Sequence, residues 1–458
     1  MGQAGTVPAR TAVPRPRRRR GVGDRLRGAL WPIPAIGVVL AAVAGVALPA
    51  LDAVLEGGGA GHPLTFVFGG GPAAGRDLLT AIAGSLISVT GLVFSLTVVA
   101  LQLGSSQYSP RLLQTFATDR AVQLALATLT ATFVYALTVL RTVRTEDATA
   151  DESAFVPRLS ITVAFLLTLL SVVALLLFLG HLARVLRVET MLRDVHDESS
   201  GTLRRELRER AGEPVRGTVP SGPGVPLAAT SSGFVVDVDE AALVEAAAAR
   251  DAVVVLAVRI GDSLVAGAPV AHAWPRTGGS VPDDLAEAVA REVDTGHERT
   301  PDRDPSYGLR KVVDIAVRAL SPGINDPTTA VHALSHASAL LGDLLDGGLA
   351  DRRLGDGEGV LRLVVPEWTP RQLLDLALEE PLAFAAGQPA VLRRLAALLR
   401  EVAWRAPRHL LDGELRAHLA AVSEIAGDST RIDAAERAAW ERAVEEALAG
   451  RWPAARAG

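Results

Sequence analysis

Four apolar runs without Asp, Glu, Lys or Arg constrain this chain more than any other feature: Leu30–Leu51, Leu78–Leu101, Ala121–Leu140 and Leu159–Leu182. An α-helix rises about 1.5 Å per residue, so about 20 such residues cross the hydrocarbon core of a bilayer. The pattern therefore predicts four transmembrane helices. Away from their ends the runs carry no Asp, Glu, Lys, Arg or His. That counts against proton relays, voltage sensing and charge-coupled transport, because ionisable groups are costly in lipid and are retained there for use. Neutral polar groups remain: Thr128, Thr130, Thr132, Tyr135 and Thr138 in the third run, and Thr162, Thr168 and Ser171 in the fourth.

The second run carries the least ordinary pattern. Counting from Asp77 by fours and threes gives Asp77, Ala81, Gly84, Ser88, Gly91, Ser95, Val98 and Gln102. At about 100° per residue these positions form one stripe. All but Val98 are small or polar, while Leu, Ile, Val and Phe dominate the remaining surface. We expect this helix at the centre of the membrane domain, and two readings of its stripe stay open. The small-x-x-x-small spacings Gly84/Ser88 and Gly91/Ser95 suit close helix packing, within the subunit or across a homo-oligomer. Alternatively the stripe lines a pore, from Asp77 outside through Ser88 and Ser95 to Gln102 inside, which requires several copies of the chain.

Charge orients the spans. Residues 1–28 read as a disordered basic tail, with eight arginines and one acid, Asp24, before residue 28. Seven more arginines, from Arg184 to Arg210, follow the fourth run. The connection Arg141–Arg158 mixes three arginines with Glu146, Asp147, Asp151 and Glu152. The positive-inside rule then places both termini in the cytoplasm of a multi-pass membrane protein. Beside a bilayer, the arginine tail reads as an anchor to anionic headgroups rather than a nucleic-acid-binding arm. The chain contains no cysteine, which excludes disulfides, thiolate catalysis and cysteine-based metal sites.

Beyond the membrane runs the fold class is α+β, mostly helical with a small β module. The fourth span is expected to run on as one charged helix through residues 183–211, with Val188, Met191, Leu192 and Val195 at packing spacing. A linker and β-rich module occupy 212–275: a strand at Ser232–Val238, a short helix at Asp239–Arg250, and a hairpin of Ala252–Ile260 with Ser263–Trp274 about Gly261-Asp262. The piece Gly261–Val270 looks like the turn of small carrier-type modules, but the one lysine of the chain is Lys311, so biotin or lipoyl attachment is excluded. Residues 276–450 read as a helical domain interrupted by a strand at Val360–Val365. No cofactor is implied.

The densest polar stretch is Gly296–Ala330, and it carries a resemblance. Phe94–Leu113 (FSLTVVALQLGSSQYSPRLL), Arg299 and Thr300 with Asp304, and Arg318–Ala330 (RALSPGINDPTTA) together resemble a family of predicted bacterial membrane proteins, domain of unknown function 2254. The similarity covers roughly residues 25–445 and implies four spans followed by a cytoplasmic domain, with no reaction attached. Where that pattern has Gln before the Asp, Arg303 stands here.

Read from the residues alone, Asp326 is a natural helix N-cap and Pro327 a natural first helical residue. Ser321-Pro322-Gly323 breaks the preceding helix, which makes the stretch with Asn325 a structural turn. The functional reading is an anion site, with charge from Arg299, Arg310, Lys311 and Arg318 and N–H groups from the helix start at Pro327–Thr329. His332 and His336 stand four apart on one helix, but Ala333 occupies the position a metalloprotease motif gives to Glu. Asp302 and Asp304 are a weak Mg²⁺ signal. With no nucleophile–base pair, Walker loop or Rossmann fingerprint, we expect no enzyme. The leading expectation is a homo-oligomeric channel-like or transport protein with a cytoplasmic assembly or gating domain. The other is a membrane-anchored sensor or scaffold whose ligand is unknown.

Overall fold

Pro32 and Pro72 open the first two helices, where a missing N–H costs nothing. These are α1 (Pro32–Gly57) and α2 (Pro72–Gln107), followed by α3 (Arg120–Leu140) and α4 (Arg158–Val185). All four are long and apolar enough to cross a membrane. The structure, a computed structural model, describes residues 30–57, 68–107, 119–144, 155–185, 187–209, 215–301, 303–347 and 350–452. The basic tail 1–28, much of the three connections, the linker residues 210–214 and Asp302 lie outside the described residues. The chain forms two compact units that divide at Thr190/Met191.

In the membrane unit the central helix is α3, not α2. It packs on α1, α2 and α4, and 56% of its apolar window is buried against 22% for each of the others. Its small residues explain this: Ala125, Ala127 and Ala136 let neighbours approach from several sides. On α1, a Cβ added to Gly45 would lie 2.7 Å from the Thr138 Cβ, so that crossing needs glycine. The polar groups of α3 and α4 are used inside the bundle. Thr132 Oγ1 and Ser171 Oγ are 2.9 Å apart, the Tyr135 hydroxyl donates to the Ser160 carbonyl, and Thr138 returns its hydroxyl to Val134 O. Groups satisfied this way carry little penalty in lipid.

One acid of this unit, Asp52, lies just beyond the first apolar run, Leu30–Leu51. Helix α1 continues past it to Gly57, and Asp52 is fully buried. Its carboxylate accepts from Leu159 N, Ser160 N and Ser160 Oγ at 3.1, 3.0 and 2.7 Å. Asp52 thus caps the start of α4 from a different helix, answering donors that a helix N-terminus leaves open.

The expected continuous helix from the fourth span is corrected. Helix α4 ends at Val185 and α5 spans Val188–Glu209. Arg187 N donates to Arg184 O, an i to i−3 closure that tightens the last turn and ends the ladder.

The C-terminal unit holds β1 (Val225–Ala228), β2 (Gly233–Val238), α6 (Glu240–Ala249), β3 (Ala252–Leu256), β4 (Ser263–Leu264), β5 (Pro269–Pro275), α7 (Asp284–Arg291) and β6 (Val293–Gly296). Then come α8 (Pro305–Leu320), α9 (Pro327–Asp346), β7 (Arg352–Gly355), β8 (Leu361–Val365), α10 (Pro370–Ala383), α11 (Pro389–Arg405), α12 (Asp412–Gly427) and α13 (Ala434–Leu448). One sheet has the order β1-β5-β3-β8-β7, the other β4-β2-β6. All pairs are antiparallel except β3 with β8. The larger sheet therefore takes strands from both the 212–275 and the 276–450 stretches. Their inward faces share one core, including Val254, Val270, Leu285 and Leu363.

The simple hairpin expected about Gly261-Asp262 is also corrected. Ser263 and Leu264 pair with β2 in the smaller sheet, and the chain returns to pair β5 with β3 only from Pro269. Gly267, at φ +86°, allows that second turn.

Helix α5 buries Met191, Leu192 and Val195, as their spacing predicts, and also Leu203, while Val188 is only half-buried. Polar links join it to α8 and α9. Lys311 Nζ is 2.9 Å from Glu198 Oε2, Ser199 Oγ donates to Pro305 O, and Ser200 Oγ donates to Asp343 Oδ2.

Candidate functional site

The segment Arg299–Asp304 leads from β6 into α8, and its charges turn inward. Asp304 is 3% exposed. It caps α8 by accepting from Tyr307 N at 3.2 Å, accepts from Ser306 Oγ at 2.6 Å, and pairs with the Arg299 guanidinium at 2.5 Å. Arg299 also lies over the Tyr307 ring at 5.0 Å. Gly261 lies against this pair: at φ +94°, a Cβ there would meet Asp304 Oδ2 at 2.3 Å and Arg299 Nε at 2.8 Å. The Gly261 turn and the Arg299/Asp304 motif are thus one packed feature. Thr300 is half-buried beside it.

A second charge cluster adjoins the first. Glu240, fully buried at the start of α6, receives both terminal nitrogens of Arg352 at 2.7 and 2.6 Å. Arg352 Nε reaches Glu367 at 3.0 Å. Burial pushes the Arg352 guanidinium down, but Glu240 and Glu367 outweigh it and hold the group above its ordinary value. Arg303 bridges Asp237, the Val238 carbonyl and Glu240. The cleft bordered by Glu240, Arg303, Arg352, Arg259 and Trp368 has a free volume of about 30 Å³. That admits water but not a nucleotide.

The other half of the motif lies at the far end of α8. With 16 residues that helix is roughly 24 Å long, so Arg299 and Asp304 at one end do not meet Arg318, Ser321, Asn325 and Asp326 at the other. Ser321 Oγ donates to Arg318 O at 2.7 Å. Asn325, at φ +50°, accepts from Gln388 Nε2 at 2.7 Å. Asp326 caps α9 through Thr328 N, Thr329 N and Thr329 Oγ1. The Thr329 hydroxyl, then the Thr329 N–H, holds the Asp326 carboxyl below its usual range.

These positions correct the single anion site expected from Arg299, Arg310, Lys311, Arg318 and Pro327–Thr329. Arg299 is held by Asp304, Arg310 by Asp314 and Glu380, and Lys311 by Glu198. The helix start meant to receive the anion already carries Asp326. The geometry is that of tight turns and caps. Among the described residues no group of three or more His, Asp or Glu is arranged to hold a metal.

The stripe on α2 has a clearer meaning. Asp77, Ala81, Gly84, Ser88, Gly91, Ser95, Val98 and Gln102 are all exposed. The buried face is Leu79, Ile82, Leu86, Val93 and Thr97, roughly 180° around the helix at 100° per residue. No atom lies within 4 Å of a Cβ built on Gly84 or Gly91. Packing within the subunit is therefore overturned for this stripe. Ser88 returns its hydroxyl to Gly84 O, while Ser95 and Gln102 have no partner among the described residues.

Comparison with known proteins agrees with this architecture. The family described as "Predicted membrane protein (DUF2254)" matches residues 27–401. The chain belongs to that family. Similar relatives include the uncharacterized proteins Rv1290c of Mycobacterium tuberculosis (strain H37Rv) and Mb1321c of Mycobacterium bovis, each 34% identical over 399 residues, 86% of this chain and 75% of theirs. No solved structure matches the chain. For this DUF2254 protein, sequence reasoning missed Asp52, Glu240 and Arg352. Glu240 and Arg352 stand 112 residues apart, and no local pattern links them. A single acid at the end of an apolar run was the available signal for Asp52.

Proposed function

We propose that this chain is a homo-oligomeric channel-like or transport protein of the bacterial inner membrane, with α2 lining or sealing a path between subunits. In this reading both termini are cytoplasmic and the C-terminal unit assembles or gates the oligomer. One observation carries it: the small and polar stripe of α2 points away from its own bundle. An exposed face of Gly, Ser and Gln is poorly suited to lipid, since unpartnered polar groups are costly there. It suits close contact with another helix, or water. The stripe itself carries charge only at its end, Asp77, so a path along it would run past neutral dipoles and small side chains. The orientation draws on the arginine-rich tail and the arginines after α4. The reading assigns no catalysis.

The test is solute or ion flux through reconstituted protein. Ser95→Leu and Gln102→Leu should reduce flux at least several-fold while leaving the helical content unchanged. Protein that conducts nothing, with both variants silent, removes the transport reading. The sensor alternative draws less support, because polar groups of Gly296–Ala330 that were to bind a ligand are engaged within the protein, Arg299 by Asp304, Arg310 by Glu380 and Lys311 by Glu198.

A further inference from the structure

The joint between α5 and α9 holds three histidines that nothing above uses. His196 of α5 meets His336 of α9 edge to face, with ring centroids 5.5 Å apart. His332 lies one turn before His336 on the same helix. His196 Nδ1 is buried without a hydrogen-bond partner among the described residues. Arg193 and Asp197 of α5 also act on His336, the first disfavouring and the second favouring its protonation. Two polar links of α5, Lys311–Glu198 to α8 and Ser200–Asp343 to α9, involve no histidine.

We propose that the His196–His336 contact is a proton-sensitive latch that seats α5, the first element after the membrane helices, on α9. Neutral imidazoles tolerate edge-to-face contact and partial burial. A proton on either ring places a cation beside the other ring and beside Arg193, and protons on both place like charges in contact. Burial, then His196, then His332 hold His336 below the ordinary histidine value. The sign follows from linkage. Above about pH 6.5 the ring is neutral whether the joint is closed or open, and nothing is lost. As pH falls below that value the open joint takes up a proton that the closed joint resists. Closure therefore weakens until the depressed value is reached.

The test is hydrogen exchange of the full-length protein in detergent at pH 7.5 and pH 5.5, expressed as protection factors, with and without a chelator. Protection across residues 191–199 should fall several-fold at the lower pH. Residues 391–402 of α11 should keep theirs. His336→Gln and His196→Gln should each flatten the response, so failure of one variant to fold leaves the other. Equal protection at both pH values, or a response that persists in the variants, overturns the latch. So does loss of protection with chelator at pH 7.5, which would make the joint a metal clasp.

Discussion

Asp304 shows how much of this protein a single side chain can hold. It caps α8, binds Arg299 and Ser306, and lies under Gly261. Removing one partner of a buried pair typically costs about 3–5 kcal/mol, and loss of an N-cap about 1 kcal/mol. Asp304→Ala should therefore unfold the C-terminal unit at clearly lower denaturant than wild type. Gly261→Ala should be destabilised as well, by clash and by positive φ together. An unchanged midpoint in either would contradict the packing described. Asp326 adds a pH signature. Its depressed carboxyl contributes stability that is present above the ordinary Asp value, near pH 3.9, and is lost as pH falls through the folded value. The acid limb of the unfolding curve should be shallower in Asp326→Asn than in wild type.

Legibility at this scale followed sequence distance. The caps Asp239, Asp304, Asp326 and Thr369 act within three residues. Two of them, Asp304 and Asp326, stood among the candidates singled out from the sequence. The Glu240–Arg352 pair and the Asp52 cap of α4 span more than 100 residues, so their roles appear only in the fold.

Among the elements, periodicity located helices well and misplaced their neighbours. The four C-terminal helices, α10 to α13, fall within the stretch 276–450 that reads as helical. Strands β1, β6 and β7 have four residues each, too short for alternation to register, and β4 has two. On α2 the polar stripe was legible, but its direction was not, because one helix does not reveal which side its partners take. This contrast yields a sharp prediction for glycines. Gly84→Leu and Gly91→Leu meet nothing in their own subunit and should leave monomer folding unchanged, while shifting oligomer size on chromatography. Gly45→Leu should disturb the α1–α3 crossing and lower thermal stability. Equal behaviour of the three would erase the distinction between the faces.

For the whole molecule, the absence of cysteine makes topology directly measurable. In intact cells an impermeant maleimide should label Gly61→Cys, in the first connection. Ala455→Cys, near the C-terminus, should label only after permeabilisation. The reverse pattern would invert the orientation and the placement of the C-terminal unit.

The central claim, that the outward stripe of α2 meets another copy of the chain, is tested most directly by oxidative cross-linking in native membranes. Phe94 is exposed on α2 but off the stripe, which makes it the control. Ser88→Cys and Ser95→Cys should give covalent dimers on oxidation, and Phe94→Cys should remain monomeric. Monomers throughout, or cross-linking of Phe94→Cys equal to that of Ser88→Cys, would contradict it.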